Sequence, residues 1–283
     1  MDRSFYRCGK NGRRNFIGTI SKAALWPCAG AALMGCATRS QHPRVEGSSY
    51  YMQKKRQLMF MMNMVRPLMK RSIRGNFGDA EAKIWYDETR QGFENLLPRI
   101  PYIGGDENPM TQYLVMSSMF LPLFKAMTRD GASPSQCGRV FYEVAESYSK
   151  LKPARLRWRN GRKTFTPAAM EQVRKDAEHS QLRKYPGDWV YRFVKGGSDF
   201  QYGMDMIECG IVKFWDAEGM AALTRYNCLS DWVMWKSQRI VARRTRTIAN
   251  GASVCNFRFI GVGVDCQSGW PPQYLKEWTG DAV

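Results

Sequence analysis

The chain has 283 residues, with 43 Lys and Arg against 25 Asp and Glu, for a formal net charge of +18. A hydrophobic content of 44% with 13% aromatics excludes a disordered chain and is enough to build a buried core. The longest nearly apolar runs, 59–65 and 113–124, are shorter than the ~18–20 residues that span a bilayer, which excludes a multi-pass membrane protein.

Residues 1–36 read as an export address. Residues 1–40 carry a net +6 with Asp2 as their one acid, which leaves +12 for the rest of the chain. The run Arg13-Arg14-Asn15-Phe16-Ile17 resembles the twin-arginine signal, paired arginines followed by an apolar residue. The small, weakly apolar stretch Ala23–Met34 fits a signal h-region and is too short for a membrane helix. It ends in Leu33-Met34-Gly35-Cys36, which resembles a bacterial lipobox with an unusual Met. Acylation of Cys36, attachment to a membrane through that lipid and a cell-envelope or periplasmic location follow as expectations. The alternative is an ordinary basic N-terminus.

Residues 37–50 read as a polar tether, and 51–283 as a single α+β domain, helical over 51–188 and mainly strand over 189–262. Tyr51–Ile73, rich in Met and Leu, predicts a helix with Pro67 as a kink. Asp79–Leu97 predicts a second, with Asp79 as N-cap and Pro98 as its stop. A Pro/Gly loop, Arg99–Pro109, leads to an apolar, buried helix over Met110–Met127 with an internal Pro122. Ser133-Pro134 opens a helix to about Leu151. The basic stretch 152–188 reads as a solvated loop, then a polar helix from Thr166-Pro167 to about Tyr185.

The texture then turns β-branched and aromatic. Strands are expected at Trp189–Val194, Gln201–Cys209, Ile240–Ala249 and Ser253–Gly261, with Asn250-Gly251 as a hairpin signal between the last two. A helix over Ile211–Leu223 and a Cys/Trp-containing segment, Tyr226–Trp235, fall between the strand pairs. Helices first and strands later specify an N-terminal helical layer packed on a C-terminal antiparallel sheet.

Net positive charge invites a nucleic-acid reading, and Trp158 and Phe165 among arginines are able to stack bases. No helix-turn-helix, zinc finger, RNP pattern or P-loop accompanies them, and the export address points elsewhere, so no nucleic-acid partner is expected. Two histidines, His42 and His179, leave little room for histidine-rich metal sites. The cysteines Cys209, Cys228 and Cys255 are spaced unlike any short zinc pattern and form no CxxC. No metal and no cofactor are expected.

Unusual chemistry concentrates in the last third: Glu208-Cys209-Gly210, Cys228-Leu229-Ser230-Asp231, Arg244-Thr245-Arg246-Thr247-Ile248-Ala249-Asn250-Gly251 and Cys255-Asn256-Phe257-Arg258-Phe259. These segments resemble, in order, the E-C-G, C-x-x-D, R-T-x-T-x-A-x-G and C-D-F-R-F motifs of the L-2-amino-thiazoline-4-carboxylic acid hydrolase family. The resemblance covers roughly residues 55–260 and includes Trp189-Val190-Tyr191. One departure stands out: the family pattern has Asp where this chain has Asn256.

The resemblance implies a small anionic substrate, a cyclic isothiourea bearing a carboxylate. Water adds at the amidine carbon and the ring sulfur leaves, giving an N-carbamoyl-cysteine. Such chemistry needs a carboxylate to hold the amidinium, a guanidinium fork for the substrate carboxylate, and either a thiolate or a base-activated water as nucleophile. Glu208, Cys209, Cys228 and Asp231 are the catalytic candidates, and Arg246, Arg258 and Asn256 the substrate-binding candidates. Strand alternation puts Arg244 and Arg246 on one face, and Cys255 opposite Asn256 and Arg258, so Cys255 is assigned to the core. A rival expectation is a non-catalytic envelope lipoprotein that binds an anionic small molecule in the same pocket.

Overall fold

The computed structural model describes residues 47–263 and Trp270. The export address, Cys36 and the tether up to residue 46 lie outside the described residues. Helices α1 (Gly47–Gln53) and α2 (Lys55–Phe77) run almost continuously, because Lys54 N–H donates to the Tyr50 carbonyl (3.3 Å) and Leu58 N–H to that of Lys54 (3.0 Å). Leu58, Met62, Val65, Met69 and Ile73 recur every three or four residues and form the buried face. Pro67 is exposed and α2 continues through it.

Helix α3 (Asp79–Leu96) starts from Gly78, whose positive φ makes the reversal, so Gly78 and not Asp79 is the N-cap. Asp79 instead pairs with Arg74 across the turn. Helix α4 (Thr111–Arg129) lies tightly against α3. A Cβ at Gly92 would stand 2.7 Å from the Pro122 Cβ, so the proline bulge on α4 is accommodated by a missing side chain on α3. Helix α5 (Pro134–Ser149) opens with the reciprocal Ser133–Gln136 capping box that the Ser-Pro start signal announces.

Two features of the basic stretch differ from the sequence expectation. Residues Ala154–Lys163 form a helix, α6, where a loop is predicted. Its support is tertiary: Gly161 packs against the Gln238 carbonyl and the Trp158 ring lies 3.5 Å beneath the Arg239 guanidinium. Helix α7 (Pro167–Ser180) stops short of Tyr185, because Ser180 and Gln181 turn their side chains to the Tyr191 backbone and join the helix end to the sheet.

Strands β1 (Val190–Lys195), β2 (Tyr202–Glu208), β3 (Ile240–Arg243) and β4 (Cys255–Val262) make one antiparallel sheet of order β1-β2-β4-β3. Between β2 and β3 lie α8 (Gly210–Ala217), α9 (Thr224–Asn227) and α10 (Leu229–Gln238). The architecture is α+β, a helical N-terminal part followed by a C-terminal antiparallel sheet. Among the described residues no helix is long and apolar enough to cross a membrane.

A hydrophobic cluster runs from the helices into the sheet. Trp235 of α10 meets Phe257 and Phe259 of β4 edge-on at 5.7 and 5.4 Å. Trp215 of α8, fully buried, meets Phe124 of α4 at 5.3 Å. Burial of an indole requires a partner for its N–H. Ser117 Oγ provides it, accepting from Trp215 Nε1 (2.8 Å) and also from Asn227 Nδ2 (2.7 Å). One hydroxyl thus joins α4, α8 and α9. Ser117→Ala strands two buried donors and is expected to cost about 1–3 kcal/mol, read as a lower urea midpoint with an unchanged m-value.

Candidate active site

The site is assembled from four chain segments that meet at the inner end of the sheet. At the first, β2 gives way to α8 through Cys209-Gly210. A Cβ at Gly210 would lie 2.6 Å from the Gly187 carbonyl oxygen and 2.8 Å from the Trp189 ring, so only glycine allows this corner to close. Cys209 is thereby fixed at the head of α8. No standard cap hydrogen bond reaches its sulfur, yet the N–H groups of Ile211 and Val212 and the Trp189 side chain favour its thiolate. Burial outweighs them and raises the thiol pKa.

Cys228 and Asp231 bracket the start of α10, with Asp231 in its first turn, where a carboxylate suits the helix dipole. The third segment brings Arg244, just beyond β3, and the fourth Cys255 at the start of β4. Arg244 Nη1 donates to Asp231 Oδ2 at 2.6 Å and its Nη2 to the Cys228 carbonyl at 2.9 Å. The guanidinium also lies 5.1 Å from the Phe257 ring centroid and 5.9 Å from that of Trp235.

The pair is asymmetric: 1% of the Arg244 side chain is accessible, against 31% of Asp231. The cation is sealed from water, while its carboxylate keeps part of its surface accessible. Burial raises the Asp231 pKa, and the charge and hydrogen bond of Arg244 pull against it without reversing the direction. Cys228 is raised well above the ordinary thiol value, by burial first, with Arg244 opposing. Cys255, at the start of β4, is pushed up to about 12 by burial, while the Ile248 N–H donates to its sulfur at 3.1 Å. Each of the three thiols feels the Asp231 charge, so they form one electrostatic cluster with it.

Cys209, Cys228 and Asp231 therefore come together, as candidates from two separate stretches of sequence. The other four candidates lie elsewhere. Glu208 turns to Arg183 and Lys213, and Lys213 also holds the carbonyls of Pro186 (2.8 Å) and Asp188 (3.0 Å). Arg258 pairs with Asp205 on the neighbouring β2 at 2.7 Å. Arg246 is exposed. Asn256 clamps the backbone: its Oδ1 accepts from the N–H groups of Thr245 (2.9 Å) and Arg246 (2.8 Å), and its Nδ2 donates to Thr245 Oγ1 (2.8 Å).

That clamp accounts for the largest departure from the expected strand pattern. Strand β3 ends at Arg243, not Ala249, because the Asn256 side chain takes the N–H groups that a partner strand would have held. Released from alternation, Arg244 and Thr247 turn inward while Thr245 and Arg246 face water. The Asn250-Gly251 signal closes a single 3₁₀ turn, Ile248–Asn250, with Gly251 at φ +87°, inside a longer connection between β3 and β4. Sequence reasoning thus passes over Arg244 for Arg246 and sets Cys255 aside as core. Cys255 is indeed buried, and the same burial places it against the cluster. A detectable signal for Arg244 was its place at the end of a strand beside a Cys-x-x-Asp, a lone acid that needs a cation.

Among the described residues, no group of three or more His, Cys, Asp and Glu side chains is placed to hold a metal ion. Cys137, Cys209, Cys228 and Cys255 are free thiols.

Residues 112–259 match the family model of L-2-amino-thiazoline-4-carboxylic acid hydrolase. The chain belongs to this family. The matched span contains every member of the cluster: Cys209, Cys228, Asp231, Arg244 and Cys255. It begins in α4 and ends one residue past Arg258, so α1–α3 lie outside the matched residues. No curated protein and no solved structure matches the chain.

A thiol held neutral by the fold contributes its full stability below its ordinary pKa and loses it as pH rises toward the folded value. For Cys255 that window runs from 9.0 to about 12. Wild-type stability is therefore expected to fall between pH 8 and pH 10 by about 1 kcal/mol more than that of Cys255→Ala, measured by urea unfolding at each pH.

Proposed function

We propose that Asp231, with the groups clustered around it, is the catalytic centre of a hydrolase that opens a small cyclic amidine or isothiourea bearing a carboxylate. L-2-amino-thiazoline-4-carboxylate is the compound to test. The observation that carries this reading is the asymmetric Asp231–Arg244 pair, an enclosed carboxylate that is open on one side and backed by a sealed cation.

Asp231 is the general base in this reading. A carboxylate whose pKa is raised by burial takes a proton from water more readily than an ordinary one. Water gives its proton to Asp231 as its oxygen bonds to the amidine carbon. The C=N π pair moves to the ring nitrogen, which takes the remaining hydroxyl proton as the carbonyl forms; the carbon–sulfur bond breaks, and the proton on Asp231 passes to the departing sulfur. Arg244 orients Asp231 and keeps it ionised between turnovers; its fork is occupied by Asp231 and the Cys228 carbonyl, so it does not serve the substrate carboxylate. Water is favoured over a thiolate because burial raises all three neighbouring thiols.

Turnover is followed as new thiol released from L-2-amino-thiazoline-4-carboxylate. Asp231→Asn is expected to lower kcat by about 10²–10⁴-fold, whereas Arg258→Gln and Arg246→Gln stay within a few-fold of wild type. The acidic limb of kcat/KM is expected above the ordinary aspartate value of 3.8, in the direction burial gives Asp231. Substrate-dependent thermal stabilisation without thiol release would instead identify a binding protein.

The same proposal places the protein in the cell envelope, anchored by lipid on Cys36, on the strength of the twin-arginine-like and lipobox-like sequences. Cys36→Ser is expected to let a high-salt wash release the chain from the membrane fraction of expressing bacteria, while the wild type stays bound, measured by immunoblot of the washed fractions.

A further inference from the structure

The outward face of α1 and α2 is used neither by the core nor by the site. Met52, Phe60 and Met64 are 42, 59 and 44% exposed there, three of the seven large hydrophobics exposed among the described residues. Helical spacing aligns Arg56, Phe60, Met64, Pro67, Arg71 and Arg74 in one stripe along α2, and each of them is exposed. The stripe is apolar in the middle and cationic at both ends. Over its whole length α2 holds six Lys and Arg and no acid. Lys55 is countered by Glu94 and Arg74 by Asp79; Arg56 and Arg71 have no acidic partner among the described residues.

We propose that this face docks peripherally on an anionic lipid bilayer. Phe60, Met64 and Met52 enter the boundary between headgroups and acyl chains, and the flanking guanidiniums reach back to the phosphates. Charge complementarity selects the occupant. A second copy of the chain would bring two faces of like charge together, and plain solvent gives no return for exposing Phe60 and Met64 side by side. Position in the chain agrees. Gly47, where α1 begins, follows Cys36 by eleven residues, a reach of at most about 36–40 Å. A lipid at Cys36 would hold the face close to the surface it fits, although docking itself needs no lipid and is independent of the hydrolase reading.

The test uses the full chain carrying Cys36→Ser, so that no acyl group is added. It is sedimented with vesicles of phosphatidylcholine alone or mixed equally with phosphatidylglycerol. Binding is expected to the anionic vesicles and to be at least tenfold weaker to the neutral ones. Phe60→Ser with Met64→Ser, and separately Arg56→Gln with Arg71→Gln, are each expected to weaken anionic binding at least tenfold while melting temperature and thiol-releasing turnover stay unchanged. Residues 1–36 are common to all of these chains, so the differences report the α2 face alone. Equal binding by parent and variants overturns the proposal, as does the absence of binding. Concentration-dependent dimerisation that the Phe60/Met64 variant abolishes also overturns it, in favour of a second copy. Turnover in the same preparations is scored separately, so failure to dock leaves the hydrolase reading standing.

Discussion

A guanidinium withdrawn from water is the constraint from which the C-terminal half of this molecule is organised. Arg244 is almost wholly inaccessible, and an unpaired cation in that position would cost several kcal/mol. Its charge is met by Asp231, one further donor is met by the Cys228 carbonyl, and Phe257 and Trp235 lie within cation–π range of the guanidinium. These partners belong to α10 with its N-cap and to the inner face of β4, while Arg244 itself stands just past the end of β3. Satisfying one charge therefore fixes how α10 crosses the sheet, and Trp235 fills the apolar space that this crossing leaves against Phe257 and Phe259.

The chemistry of the site follows from the same arrangement. With the cation sealed behind it, Asp231 is held in one orientation while part of its surface stays accessible. Desolvation raises its proton affinity, and Arg244 limits the rise. Burial raises the three neighbouring thiols as well, with Arg244 opposing it at Cys228 and Cys255 without reversing the direction.

The molecule also divides along its sequence. The family span starts at α4, so α1–α3 lie outside the part matched to the family. Their inner faces complete the hydrophobic core through Met62, Met69, Tyr86 and Phe93, and their outer face carries cations and exposed apolar side chains. A layer with these two faces suits a chain whose N-terminal segments resemble an envelope address, since stability and placement are then supplied by one helical unit.

Much of the architecture is local and was legible residue by residue. Ser133-Pro134 and Thr166-Pro167 start helices by capping chemistry that needs only three or four neighbouring residues. The apolar periodicity of 58–73 marks a helix face, and the alternation Cys255-Phe257-Phe259 marks the inward side of β4. The family resemblance was legible as well, and of the seven site candidates the structure brings Cys209, Cys228 and Asp231 into one cluster. What the sequence alone could not decide was settled by contacts between distant segments. Helix α6 exists against the end of α10. Strand β3 stops early because Asn256, thirteen residues past Arg243, takes its backbone N–H groups, and that interruption turns Arg244 inward and leaves Arg246 in water. Periodicity reports which face a side chain occupies only while the regular backbone continues. Where a side chain replaces a strand as hydrogen-bond partner, the identity of the buried arginine is fixed by tertiary structure alone.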